Sequence, residues 1–519
     1  MLTTQFFGVA VFCLFAISGL SSAKFRVIRE WNYLNFTWRS AEMYQKAVQQ
    51  QLYIPENNII AGLKYFEGFY YITLPRMKSG VPATLTRIPS GFTNDTTPLL
   101  MPFPSWEKNE LNNCDAVQNV QNVEIDPMKG HIWIIDGGRT NTLGSSPVTK
   151  CQPKLLVYDI RKMEEVLSYT FPEHVASFNG SFLYDIVLDN TEQGYAYISD
   201  NSGRDPGIIV FSIKDHQAWK IRHSQSMHAD PNAVAFHVND VTISASLNIV
   251  SLALGPRVKK NNERIVVNED REVFYAPLSS FHLYSISSAV LRNQEFARNE
   301  GEYQGTVKDY GQKSSQSVGM VMDNQGMLYY SLLSINSVAR WDSNTPFQFG
   351  QRIIAKDDTY LEWVNSFSLD DKGNLTILVN RLNRFIYGKL KTNEVNFRLI
   401  SSNVGGMGYL YDEIYNYNIS TTTEQQSTTT TTEKAAAPAL KPGTDQDPYL
   451  APQPASEPEP TPEPSSSPTP LSTSTPKSET PSSLRSILDS TTQGLASAAS
   501  KRREVAVLAF LTAGMLFVV

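Results

Sequence analysis

The sequence contains none of the short signatures by which catalysis is read from a motif. G-x-S-x-G, H-E-x-x-H and the phosphate-binding G-x-x-x-x-G-K-[ST] are all missing. Basic residues are not in excess: Lys and Arg total 45 against 51 Asp and Glu, a net charge of -6, so no basic field draws in nucleic acid. Histidine is sparse, at 7 residues, and His223 and His228 lack the spacing of a zinc site. Cysteine is rarer, at 3 residues. Cys13 falls in an N-terminal apolar run, which leaves Cys114 and Cys151 as a pair with no further thiol to act as nucleophile. Long helical periodicity is absent from the body of the chain, apart from a short segment near Ala41–Leu52.

What is present at the ends concerns destination. Phe6 to Leu20 is apolar and runs into Ser21-Ser22-Ala23, a small-x-small cleavage pattern, so residues 1–23 read as a secretory signal peptide. Residues 416–500 are dominated by Thr, Ser, Pro, Glu and Ala, with few large apolar side chains. Such a stretch cannot bury enough surface to offset its ordering entropy, and its composition is that of a disordered, O-glycosylated stalk. Residues 501–519 end in an apolar run, Val505–Val519, preceded by small residues from Gly494 to Ser500. Three readings stay open for this tail: a GPI-anchor signal, a short transmembrane helix, for which roughly 20 residues are usual, and a tail of neither kind. The expected location is extracellular, at the cell surface if the anchor is added, with membrane contact only through the tail. An oxidising compartment makes a Cys114–Cys151 disulfide the expectation. N-glycosylation sequons stand at Asn35, Asn94, Asn179, Asn374 and Asn418.

The body, residues 24–415, is built of short runs of Val, Ile, Tyr and Phe broken by Gly, Asn and Asp, which favours an all-β domain. A repeat runs through it. Alternating apolar positions lead to an Asp, a turn ends in Gly, and a second apolar run follows. Asn122 to Asp126 passes through Gly130 to Ile132–Asp136, and Asp185 to Asp189 passes through Gly194 to Tyr195–Asp200. Gly319 to Asp323 passes through Gly326, and Ser366 to Asp370 through Gly373. Degenerate copies begin at Gly62, with its turn at Glu67-Gly68, and at Asn248. Each copy reads as a hairpin. Copies near 62, 122, 185, 248, 319 and 366 give a spacing suited to four-stranded propeller blades, so the predicted fold is a six-bladed β-propeller. A two-sheet sandwich does not account for a repeat of this period.

Longer strings resemble the yellow/major royal jelly protein family. They include Trp31 to Trp38, Thr73-Leu-Pro-Arg76, Gly80 to Leu85, Asn113-Cys114-Asp115, Trp133 to Asp136, Cys151 to Leu156, Ala196 to Asp200, Trp219 to His223, Tyr275 to Leu278 and Asn380-Arg-Leu382. The resemblance spans about residues 26–402 and implies the same six-bladed propeller. Two positions depart from it: many members carry Asp where Leu247 stands and Cys where Arg340 stands, which implies that a second disulfide is absent here.

In a propeller the first residues of the repeats face the central channel. Gly62, Asn122, Asp185, Asn248, Gly319 and Ser366 are therefore expected there, with Asn365 within reach. A calcium site needs several carboxylates; this ring offers one, Asp185, so no metal and no cofactor is expected. The repeated Asp126, Asp189, Asp323 and Asp370 read as turn residues. Aromatic residues Tyr329, Tyr330, Trp341, Trp363 and Phe367 lie on the best-defined blades. The resemblance implies a role in cuticle or eggshell pigmentation or in development, with a biogenic amine of catecholamine type, or another small aromatic molecule, as ligand. The expected ligand set is Asp185 as ionic anchor with Asn336, Tyr330, Phe367 and Asn365 as wall, an amine being held by cation–π contact and an ion pair. Two alternatives remain: an enzyme that converts dopachrome in melanin synthesis, with no catalytic residue assignable, and a purely structural component of the extracellular matrix.

Overall fold

Each readable repeat folds as the innermost hairpin of a blade. The structure is a computed structural model that describes residues 25–91, 96–261, 264–267 and 269–411. The segments expected as signal peptide, stalk and tail, and the sequons at Asn94 and Asn418, lie outside the described residues. Innermost strands run Leu63–Phe66, Val120–Asp126, Leu183–Asp189, Ile249–Leu254, Met320–Met322 and Trp363–Leu369. Each leads a four-stranded antiparallel sheet, and we number these sheets blades 1 to 6. The chain is an all-β, six-bladed propeller.

The ring closes by sharing one blade between the two ends of the domain. Strand Arg26–Trp31 pairs antiparallel with Phe397–Asn403 and so supplies the outermost strand of blade 6. Large side chains fill the spaces between blades: Phe274, Tyr330, Trp341 and Phe347 pack together between blades 4 and 5.

The turn chemistry follows the repeat closely, with one exception. At Glu67-Gly68 both residues have positive φ, 41° and 82°, which is the geometry of a two-residue hairpin turn. Asp126 accepts hydrogen bonds from the amides of Met128 and Lys129, at 3.0 and 3.3 Å. Asp323 and Asp370 hold their turns in the same way. Asp189 does not. Its carboxylate accepts from the Tyr197 hydroxyl at 2.7 Å and pairs with Arg271 at 3.3 Å, both partners of that ion pair being fully buried.

The family-like strings turn out to be staples. Arg76 of Thr73-Leu-Pro-Arg76 is buried, and its guanidinium donates to the carbonyls of Val81, Pro82, Asn109, Val117 and Gln118. Burial pulls its pKa down to about 10. Lys220 of Trp219-Lys-Ile-Arg222 reaches Asp200 of Ala196–Asp200 at 2.7 Å, with both side chains inaccessible. Cys114 and Cys151 form the expected disulfide, with Cα atoms 5.3 Å apart. The segment near Ala41 forms a helix, Ala41–Gln49, capped by the Ser40 hydroxyl on the Met43 amide. Among the described residues no helix is long and apolar enough to cross a membrane.

Candidate functional site: the axial channel

Four innermost strands lose register with their neighbours close to their beginnings: between Val120 and Val123, Leu183 and Ile186, Ile249 and Ser251, and Val364 and Ser366. A bulge turns aside residues that a regular pleat would send to alternate faces. The residues inside these irregularities are Gln121, Asn122, Tyr184, Asp185, Val250 and Asn365, and all of them line the axial channel. The channel has three levels, which differ in size and polarity.

At the mouth, where the innermost strands begin, lies a cavity of about 110 Å³. Its wall is mainly apolar, with Leu143, Phe182, Leu247, Leu278 and Leu382 beside the aromatic rings of Tyr184, Trp363 and Tyr387. Among the described residues no Asp, Glu, Lys, Arg or His lines it. Its asparagines are engaged by the protein. Asn365 donates to the Ala61 carbonyl and accepts from the Trp363 indole, and Asn380 donates to the Ile60 carbonyl. Gln121 differs: its Nε2 is buried without a hydrogen-bond partner.

At the waist the free space falls to about 20 Å³, little more than one water occupies. Asp185 sits here, 7% exposed. One carboxylate oxygen accepts from Asn122 Nδ2 at 2.7 Å and from the Ile186 amide at 3.0 Å; the other accepts from the Leu252 amide at 2.9 Å. Asp185 thus ties blades 2, 3 and 4 together. Burial raises its pKa to about 6, opposed by the Lys64 charge. A second carboxylate shares the waist: Glu124, paired with Lys64 at 2.8 Å.

At the base, residues 404–411 close the channel. Asn324 and Met407 exchange hydrogen bonds there, and the Tyr409 hydroxyl accepts from the Leu188 amide at 2.9 Å while donating to Glu124 at 3.3 Å. Only about 30 Å³ remains beside Tyr409. A larger groove of about 630 Å³ opens off the axis, between helix Ala41–Gln49 and residues 106–112. Arg76, on its lining, has its guanidinium committed to carbonyls and offers no charge outward.

The model of the major royal jelly protein family matches residues 118–407. The chain belongs to the major royal jelly protein family. It is similar to protein yellow of Drosophila erecta, with 27% identity over 380 residues, or 72% of this chain and 67% of that protein. Protein yellow of Drosophila melanogaster is 26% identical over the same shares. Among solved structures, a luciferin-regenerating enzyme overlays with a TM-score of 0.38 at 9% identity, covering 69% of this chain and 95% of that one. A virginiamycin B lyase from Staphylococcus aureus gives 0.35 at 12% identity, covering 72% and 88%.

Within this member of the family, the residues singled out from sequence separate into two groups. Asp185, Asn365 and Phe367 meet in the channel. Tyr330 does not: it lies on the second strand of blade 5, opposite Met320, and its hydroxyl donates to Gln351 at 2.6 Å between blades. Asn336 does not either; it adopts a left-handed conformation in the loop after Ile335 and donates to Asn239 and Asp358. Of the described sequons, Asn179 is exposed, Asn35 is half-buried, and Asn374 is half-buried with its amide donating to Asp370. Gln121, Tyr184 and Glu124 were missed. Glu124 was detectable, because two residues beyond Asn122 on a strand the side chain returns to the same face. Gln121 and Tyr184, which share their bulges with Asn122 and Asp185, carried no such signal. Among the described residues no cluster of three or more His, Cys, Asp or Glu could hold a metal.

Proposed function

We propose that this protein acts outside the cell in insect pigmentation or development, through the maturation of cuticle or eggshell, by binding a small ring-bearing molecule at the mouth of its channel. Membership of the major royal jelly protein family and similarity to the yellow proteins of Drosophila support the setting. The observation that carries the binding role is the mouth cavity itself. It is concave, mainly apolar and lined by Tyr184, Trp363 and Tyr387, the usual make-up of a small-molecule site. Asp185 serves as a structural tie in this reading, since both its oxygens already hold donors from three blades.

Binding is favoured over conversion of dopachrome. A general acid or base should titrate near neutrality within reach of the substrate. Burial pushes the hydroxyls of Tyr184 and Tyr387 upward, away from that range. The carboxyl that burial brings toward neutrality, Asp185, lies below the cavity at the waist. The test has two arms. Calorimetric titration of the purified protein with small phenols and indoles should show saturable binding at one site, and its absence at millimolar ligand overturns the proposal. Dopachrome followed by its visible absorbance should decay at the spontaneous rate; faster, heat-sensitive loss would establish the enzyme instead.

A further inference from the structure

Among the described residues the wall of the mouth cavity carries no ionised side chain, and that restricts what can enter. An ammonium drawn into such a cavity loses water and gains no counter-charge, whereas a neutral ring loses little. Leu247, an apolar side chain, lines this cavity. The nearest carboxylate along the axis, Asp185, is turned to Asn122, Ile186 and Leu252, and the waist around it has room for about a water. At about 110 Å³ the cavity approaches the roughly 150 Å³ of an engineered apolar cavity that takes up benzene, so a single six-membered ring fits its scale.

One polar feature is left over. Gln121 is 5% exposed, yet its Nε2 has no hydrogen-bond partner, while the neighbouring amides of Asn365 and Asn380 are satisfied by backbone carbonyls. A buried donor without a partner is costly, and an oxygen on a bound ring would relieve it. Gln121 lies in the wall of both the mouth cavity and the waist, at the inner end of the space a ring would fill.

We propose that the mouth cavity selects uncharged ring compounds bearing a hydroxyl or carbonyl oxygen and rejects their ammonium-bearing counterparts. Gln121 supplies the hydrogen bond and Leu247 sets the charge preference. This rests on the mouth cavity being the ligand site.

The matched pair 4-methylphenol and 4-hydroxybenzylamine tests it, because the two differ by one ammonium group. Titrated into the full chain, 4-methylphenol should bind at least about 10-fold more tightly than the amine. Leu247→Asp should reverse that order. Gln121→Leu should weaken 4-methylphenol by about 3- to 10-fold, the range of one neutral hydrogen bond, and leave toluene unchanged. Toluene loosened equally would mean that Gln121 only shapes the wall. If 4-hydroxybenzylamine binds as tightly as 4-methylphenol or better, the selectivity is wrong while the mouth remains a ligand site. If neither phenol nor toluene binds, the site reading and this inference fall together.

Discussion

The waist and the mouth of the channel lie on the same axis, and bulges of the same strands build both, yet they are opposites. The waist carries Lys64, Glu124 and Asp185, and every carboxylate there is matched by donors or a cation. Among the described residues the mouth carries no charge, and its buried amide donor Gln121 Nε2 is unmatched. The contrast shows why charge in a channel is a poor guide to a ligand site. A buried carboxylate whose two oxygens hold three protein donors is holding the fold, and an apolar site with a buried amide donor left over is what a ligand completes.

The comparison can be broken by mutation, and the largest effect should come from a control outside both regions. Cys114→Ser with Cys151→Ser opens a loop of sequence separation 37, which the chain-entropy model values at about 4 kcal/mol. Chemical denaturation should show a loss of that order, with affinity for ring ligands unchanged in the protein that remains folded. Next comes the waist. Asp185→Ala strips the acceptor from Asn122, Ile186 and Leu252, and should cost about 3 kcal/mol. A loss below about 1 kcal/mol would mean that the carboxylate is not a tie between blades.

The same carboxyl gives a pH signature that the mouth lacks. Its folded pKa is raised to about 6 by burial, above an unfolded value of about 3.9. The folded state therefore holds the proton more tightly. The associated stabilisation is complete below about pH 4 and is lost as pH rises through 6, amounting to about 3 kcal/mol at most. Urea midpoints of the wild type should fall relative to those of Asp185→Asn between pH 4 and pH 6.5. Parallel curves would show that Asp185 is ionised throughout. The smallest effect is expected at the base: Tyr409→Phe removes the hydroxyl shared by Leu188 and Glu124 and should cost about 1 kcal/mol, without altering ligand affinity at the mouth.

The architecture was legible because blades 2, 5 and 6 open with the same device: a short alternating run, an Asp that caps the turn amides, and a Gly with positive φ. Even Asn248 and Gly62, whose copies are degenerate, mark the starts of innermost strands Ile249–Leu254 and Leu63–Phe66. Asp189 broke the rule, because Arg271, distant in sequence, captures its carboxylate. The site was half legible. Asp185, Asn365 and Phe367 follow from the repeat, but in the bulges after Val120 and Leu183 two residues oppose one, so alternation does not place both, and Gln121 and Tyr184 stayed hidden beside Asn122 and Asp185. Tyr330 was drawn to the channel by its aromatic character alone, when the hairpin pairs it with Met320 between blades. Leu247 was noticed as a departure from the family, and only the fold shows that it forms part of the ligand-sized wall.

The central claim is that the mouth, and not the charged waist, holds the ligand. Side-by-side calorimetry of Ala245→Phe, which fills the mouth cavity from its wall, and Asp185→Asn, which removes the waist charge, tests it with one compound, 4-methylphenol. The account predicts that Ala245→Phe abolishes binding while Asp185→Asn binds as the wild type does. Binding retained by Ala245→Phe and lost by Asp185→Asn would contradict it.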